Sequence, residues 1–313
     1  MLYKATIRSL GAFSSPLRSD TLFGAFAWSY RYLYGEELLE ELLEWMMLEP
    51  QVIFSNAFPR GTLPLPQGIY DEKLILPEDA PRKDRQIAYR RGKKLKNARY
   101  IPTERFETIA GGNTAGFAAD LREDGITPAL EIHNMVDRGT GNVGNSDGSG
   151  SLYTRDVFYA DCEDFDIYCY LGENISLKSF RRVLENMLLL GIGGKKSTGK
   201  GAFRLLELEE ANLKLPREAN GFMIISDFLP AKEDPANGRY RVFSKFPKVD
   251  REFSATDTPF KKPMLLVEAG SVFFCGRQPI RPFYGRCIDH ISPLYDKIMM
   301  NGCGIALPMI LKK

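Results

Sequence analysis

The sequence predicts an α+β fold: a ferredoxin-like (RRM-like) first domain carrying an inserted β-hairpin, followed by a β-rich second domain. Three observations predict it. Residues 1–210 read in the order strand, helices, strands, helix, strand. That is the β-α-β-β-α-β plan of a four-stranded antiparallel sheet with helices on one face. Within residues 83–158, two extended segments flank a tip rich in Gly, Ser and Asn. Finally, the polar stretch Ala211 to Asn220, broken by Pro216, precedes a series of short apolar runs with little clear helix. A chain of 313 residues accommodates two domains, and these features divide it into 1–210 and 220–313.

Met1 to Ile7 alternates like a strand, and Leu10 to Ser19 is a loop. Asp20 is placed to cap a helix running to about Tyr34. A second helix, Glu36 to Leu48, carries acids near its start, where the helix dipole favours them. Val52-Ile53-Phe54 reads as a short buried strand and Pro59 to Gln67 as a Pro/Gly-rich connection. From Lys83 to about Phe158 periodicity fades. Glu131 to Val143 and Leu152 to Phe158 frame the tip Gly144 to Ser151 as a protruding hairpin. Asp166 to Leu171 is a strand. Ser176 then caps a helix whose Leu177, Phe180, Leu184, Met187 and Leu188 share one face. Ala202 to Leu206 is the next strand. In the second half, runs at 222–225, 239–243, 263–267, 271–274 and 304–310 read as strands. A divergent second copy of the first fold fits this half, although periodicity alone does not establish it.

Composition narrows the function classes. Hydrophobic residues make up 44% and charged residues 26%, an ordinary globular balance. No run approaches the ~18 apolar residues of a membrane span, and the first residues lack a signal-peptide core, so a cytoplasmic location is expected. The five cysteines, at 162, 169, 275, 287 and 303, form no C-x-x-C pair, and there are two histidines, His133 and His290. No metal site and no cofactor is expected. Net charge is +2, but nine Lys/Arg and one acid lie between Arg82 and Arg99, a local polyanion footprint or, more plainly, a solvated charged loop.

The most chemically distinctive segment is Gly191 to Gly201, with five glycines, three lysines and two hydroxyl residues in eleven positions. Glycines admit close approach and positive φ, and successive exposed amides make an anion-binding nest. A nucleotide P-loop is a poor fit: Gly201 stands where the metal-binding hydroxyl belongs, and the flanks run helix to strand instead of strand to helix. The dinucleotide fingerprint fails because residue 196 is lysine. A helix C-cap followed by a flexible loop accounts for Gly191, but not for Gly199 and Gly201 among lysines.

Three segments together carry a resemblance. Ser19 to Phe26, Asp137 to Val143 before the glycine-rich tip, and Gly191 to Gly201 followed by Ala202-Phe203 resemble RAMP-superfamily proteins of CRISPR systems. Among these the chain is most similar to the subunit of type III-A (Csm) effector complexes that caps the 5′ handle of the guide RNA. The resemblance implies two ferredoxin-like domains in tandem, with the hairpin as a thumb that distorts the guide–target duplex. It implies contacts with the guide RNA 5′ handle, with a large polymerase-like effector subunit and with a backbone RAMP subunit, and no catalysis by this chain.

On that reading Gly193, Gly194, Ser197 and Thr198 offer amides or hydroxyls, and Lys195, Lys196 and Lys200 supply charge. Arg18 and Ser19, in the first strand–helix loop, join the same RNA-binding surface, and Arg138 and Thr140 contact the duplex from the thumb. Asp137 orients Arg138 or the turn, and a plain Asp/Thr-held turn also fits these residues. Tyr153 is a stacking platform or a core aromatic. The competing reading is a RAMP-type endoribonuclease processing the guide precursor, with His133 as base and Lys195 or Arg138 as cation. A scaffold reading assigns the acidic helix 36–49 and the second half to protein partners.

Overall fold

A computed structural model describes residues 1–71, 74, 76, 80–122, 125–136, 139, 141, 143, 152–161, 164–250, 253, 259–276 and 278–312. In the first half, β1 (Leu2–Ser9) leads into α1 (Ser19–Tyr34) and α2 (Glu36–Leu48), then β2 (Val52–Pro59) and β3 (Thr62–Pro64). Next come α3 (Arg82–Asn97), β4 (Tyr100–Pro102), α4 (Thr103–Ala110), and the hairpin strands β5 (Ile126–Asn134) and β6 (Leu152–Ala160). The half closes with β7 (Asp164–Leu171), α5 (Leu177–Leu190) and β8 (Phe203–Glu210).

The four long strands form an antiparallel sheet in the order β2-β7-β1-β8. Numbered within the domain this is 2-3-1-4, the ferredoxin-like arrangement. Everything from β3 to β6 is an insertion between its second and third strands. Both sheet faces are covered, which is why β2 and β7 read as nearly continuous apolar runs instead of alternating ones. Val52, Phe54, Ile167 and Cys169 pack on one side with α1, α2 and α5. Ile53 and Tyr168, one residue out of phase, belong to the cluster on the other side with α4.

Several local expectations are corrected. Asp20 does not cap α1. Arg18 holds the N-cap position without a side-chain bond, and Asn56 Oδ1 accepts from the Ser19 amide at 2.8 Å. Asp20 instead sits in the first turn and pairs with Lys245 Nζ at 2.6 Å. Ser176 does cap α5, accepting from the Ser179 amide at 3.1 Å, but Leu177 faces outward and Val183 takes its place in the buried stripe. The unperiodic stretch after Lys83 is not a loop: α3 is a full helix of strong helix formers with no buried residue, so it carried no apolar period to detect. Pro59 to Gln67 contains β3, which pairs with β4. A hairpin forms, but its first strand is Ile126–Asn134 instead of Glu131 to Val143, running from Ile126 opposite Ala160 to Asn134 opposite Leu152.

Beyond residues 211–220, which form neither helix nor strand, the second half contributes β9 (Gly221–Ile224), β10 (Gly238–Arg239), β11 (Val242–Lys245), β12 (Met264–Val267), β13 (Val272–Phe274), β14 (Phe283–Ile288) and β15 (Met300–Met309). Five of them make an antiparallel sheet, β10-β13-β9-β15-β14. Counting β9, β10, β13 and β15 as strands one to four gives 2-3-1-4 again, with β14 added at the edge. The second half contributes no α-helix among its described residues; α4, from the first-half insertion, packs Phe106, Ile109 and Ala110 in one cluster with Met223, Ile305 and Met309 of this sheet. The fold is thus α+β with the ferredoxin strand order used twice. The division into 1–210 and 220–313 stays our proposal, because one apolar cluster joins Ile53 and Phe58 to Met223, Ile225, Ile305 and Met309. No helix among the described residues is long and apolar enough to cross a membrane.

Polar bonds reinforce the junction, and Asp227 is their centre. Its side chain is fully buried and accepts from Arg18 Nη1 at 2.8 Å, Asn56 Nδ2 at 3.0 Å and the Ala269 amide at 3.1 Å. Ser19 Oγ bonds the Asp227 backbone. Burial alone would lower the Arg18 pKa, but the neighbouring Asp227 carboxylate outweighs it and the net shift is upward. Removing one partner of such a pair leaves a charge without compensation. Asp227→Ala is therefore expected to lower unfolding free energy by about 3–5 kcal/mol in urea titration, with Asp227→Asn losing less. A loss near zero for the alanine variant would show that the pair does not hold the halves together.

Candidate nucleic-acid interface

The glycine-rich loop leaves α5 at Gly191, whose φ of 88° ends the helix while its amide still bonds Met187 O. The loop is closed at its base: the Ile192 amide donates to Gly201 O at 2.8 Å, and the Gly201 amide reaches across to Ala12 O at 2.9 Å. Gly201 has φ +75°, and a Cβ there would run into the Ile192 carbonyl. Lys195 adopts the left-handed conformation at φ 61°, which opens a short 3-10 turn over Lys196–Thr198. Thr198 Oγ1 donates to Lys195 O at 2.8 Å, and Ser14 Oγ to Gly194 O at 2.7 Å.

The consequence is a row of open amides. The backbone N–H groups of Gly193, Gly194, Lys195, Lys196 and Ser197 donate to no acceptor among the described residues. Gly194, Lys195, Ser197 and Thr198 are exposed. Because the loop follows a helix C-terminus, the dipole does not assist an anion, and amides and lysines must do so.

The lysines differ. Lys195 is exposed and pairs with no acid among the described residues. Lys196 pairs with Asp250, and Lys200 Nζ lies 2.5 Å from Glu131 Oε1, on β5 of the hairpin opposite Arg155. The Lys200 hydrogen bond holds the Glu131 carboxyl below its usual range, helped by His133, whose Nε2 is 3.2 Å from Glu131 Oε2. His133 stacks on Tyr153, directly opposite in the register, with ring centroids 5.4 Å apart, and Arg155 lies 4.8 Å from the Tyr153 ring centre. Tyr153 is thus a hairpin-face aromatic and not part of the core clusters. The His133 ring stacks on Tyr153, and its buried Nε2, near Glu131, makes no hydrogen bond among the described residues.

The remaining expected residues scatter. Arg18 and Ser19 are held by Asp227 and do not join the glycine loop. Arg138 and Thr140, with Asp137, lie outside the described residues. Sequence reasoning flagged the basic run at 82–99 but not its form. Arg82, Lys83, Arg85, Arg90, Arg91, Lys93, Lys94 and Lys96 are all exposed on α3 and pair with no acid among the described residues. Arg241, which stands near the C-terminal end of α3 on a shared groove, gave no signal at all. Among the described residues no three His, Cys, Asp or Glu side chains converge as metal ligands.

A profile of the RAMP superfamily matches residues 10–204, most of the chain, and the protein belongs to that superfamily. No curated protein sequence matches it. Its fold is similar over all of both chains to one from the crystallised Csm1–Csm4 cassette in complex with cA4, at a TM-score of 0.64 and 18% identity. A chain of the same cassette in complex with pppApA gives 0.62 and 19%, again over all of both chains. A chain of the Csm3–Csm4 subcomplex of a type III-A CRISPR-Cas interference complex gives 0.60 and 15%, covering 99% of this chain and 100% of that one.

The closed base of the loop yields a direct expectation. Gly201→Ala forces a side chain into positive φ and against the Ile192 carbonyl. It should cost at least about 1–3 kcal/mol of stability, read as a lowered melting temperature. An unchanged melting temperature would mean the loop base is not closed as described.

Proposed function

We propose that this chain is a non-catalytic RNA-binding subunit of a type III-A CRISPR ribonucleoprotein. It holds the repeat-derived 5′ handle of the guide RNA and links a large polymerase-like effector subunit to backbone RAMP subunits. The observation that carries this reading is the row of open amides from Gly193 to Ser197, beside exposed Lys195, on a member of the RAMP superfamily. A single strand is gripped through its phosphates, and splayed bases stack on aromatic or arginine planes. Tyr153 with Arg155 offers such a plane on the hairpin. The likeness to chains crystallised in Csm1–Csm4 and Csm3–Csm4 assemblies supports the partner assignment.

In this mechanism Lys195 and the loop amides make first contact with phosphate. Lys196 and Lys200 join only by exchanging Asp250 and Glu131 for the RNA. The hairpin, carrying Arg138 and Thr140 beyond its described strands, reaches toward the guide–target duplex. The ribonuclease reading needs a His133 nitrogen open to a 2′-hydroxyl, and the burial of Nε2 with the ring stacked on Tyr153 does not favour that.

Replacing Lys195, Lys196 and Lys200 together with alanine should flatten the log–log salt dependence of handle-RNA binding by roughly 0.7 per lost phosphate contact; an unchanged slope removes these lysines from the interface. Glu131→Gln, which releases Lys200, should tighten binding by up to about fivefold, the equivalent of ~1 kcal/mol for a surface ion pair. Repeat RNA incubated with the chain without metal should stay intact. Specific cleavage abolished by His133→Ala would establish the ribonuclease instead.

A further inference from the structure

Beside the C-terminal end of α3 the surface opens into a groove of about 620 Å3, and none of its lining residues belongs to the glycine-rich loop. Its volume falls within the roughly 300–1,000 Å3 of small-molecule sites, enough for one nucleotide. Leu17, Phe58, Phe158 and Phe165 contribute apolar wall. Lys96, Arg99 and Arg241 line it, with Arg18 already bonded to Asp227, and Glu268 is the single acid among its described lining residues. The side-chain amide of Gln67, also on the wall, has no hydrogen-bond partner among the described residues and offers both a donor and an acceptor.

A charged track leads into this groove. Arg82, Arg85, Tyr89, Lys93 and Lys96 follow the spacing i, i+3, i+7, i+11, i+14, which places them on one stripe of α3. All five are exposed, Tyr89 at 77%, and Lys96 at the end of the stripe also lines the groove. Half-buried Ala88, Gly92 and Leu95 occupy a neighbouring stripe and turn the basic one outward. An aromatic flanked by unpaired cations along a helix suits a polyanion that also presents flat faces for stacking.

We propose that α3 and this groove form a second RNA site, separate from the glycine-rich loop. The basic stripe holds the phosphates of a single-stranded segment, Tyr89 stacks on a base, and the groove receives an unpaired nucleotide whose base edge meets Gln67. The apolar walls and one-nucleotide volume favour a single strand, because duplex RNA is recognised across its minor groove with its bases still stacked. A site of this kind grips RNA of any sequence. It rests on the RNA-binding part of the functional reading and not on the handle.

The test uses the full chain and fluorescence anisotropy with a labelled single-stranded RNA of about twelve nucleotides, within ordinary single-strand site sizes, lacking any repeat sequence. Arg85→Ala/Lys93→Ala/Lys96→Ala should reduce the log–log salt slope by about 2, or roughly 0.7 for each of three phosphate contacts. Tyr89→Ala should weaken binding at least about fivefold, the low end of one stacked base, with little change in slope. Ala269→Trp, which fills the groove wall, should weaken single-strand binding without affecting duplex RNA; because that variant can disturb folding, Gln67→Ala with an unchanged melting curve gives the same reading. An unchanged slope in the triple variant overturns the proposal. So does equal binding of duplex RNA or poly-glutamate, which would make the stripe a general polyanion or acidic-protein surface. If the loop lysine variant flattens handle binding while the α3 triple changes nothing, this second site is refuted and the handle reading stands. If only the α3 triple acts, the second site stands and the loop is excluded.

Discussion

Asp227 is a buried carboxylate on which both halves of this protein converge. Asp227 lies just past β9, in the second half, yet its partners Arg18, Ser19 and Asn56 come from the first. A carboxylate out of water is tolerated only when its oxygens are satisfied. Here a guanidinium, a side-chain amide and a backbone amide do so. Asn56 closes the circuit by accepting from the Ser19 amide that begins α1. The start of a helix, the edge strand β2 and the opening of the second sheet therefore move together. The shared apolar cluster supplies area at this junction, and the Asp227 network supplies direction.

The glycine-rich loop inherits that order. It leaves α5, whose buried stripe packs on the same sheet as α1, and it is tied back to the β1–α1 loop through Ala12 and Ser14. Its open amides are not the product of disorder; the chain on either side is bonded, and only the crest is left without acceptors. The ion pairs Lys196–Asp250 and Lys200–Glu131 connect the crest to the second half and to the hairpin. Three separate parts of the molecule thus meet around one candidate phosphate position.

How much of this was legible in the sequence follows from what sequence encodes. The first sheet was readable because α5 carries a helical apolar stripe and β2 and β7 carry buried runs. The hairpin was readable from its Gly/Ser/Asn tip. α3 was not, since it has no fully buried residue and its half-buried stripe is only Ala88, Gly92 and Leu95. β14 was missed because Gly285 and Arg286 interrupt an otherwise apolar run. In the site, Lys195, Gly194 and Gly199 are exposed, while Gly191 and Gly201 are buried at the loop base. That Arg18 and Ser19 are bound to Asp227 was not visible, because Asp227 stands 208 residues after Ser19. No local pattern announces such a pairing. The partners of Lys196 and Lys200 were hidden for the same reason.

The absence of buried side chains in α3 has a thermodynamic corollary. Most helices in proteins are stabilised by an apolar face, and an isolated helix of about this length is marginal in water. Like charges three and four residues apart oppose it further. The helical state of α3 is therefore set by its ionic surroundings more than by the core. Without anions to screen it, the basic stripe repels itself; a polyanion laid along it removes that repulsion. The salt around this protein thus acts on one helix more than on the apolar clusters beside it.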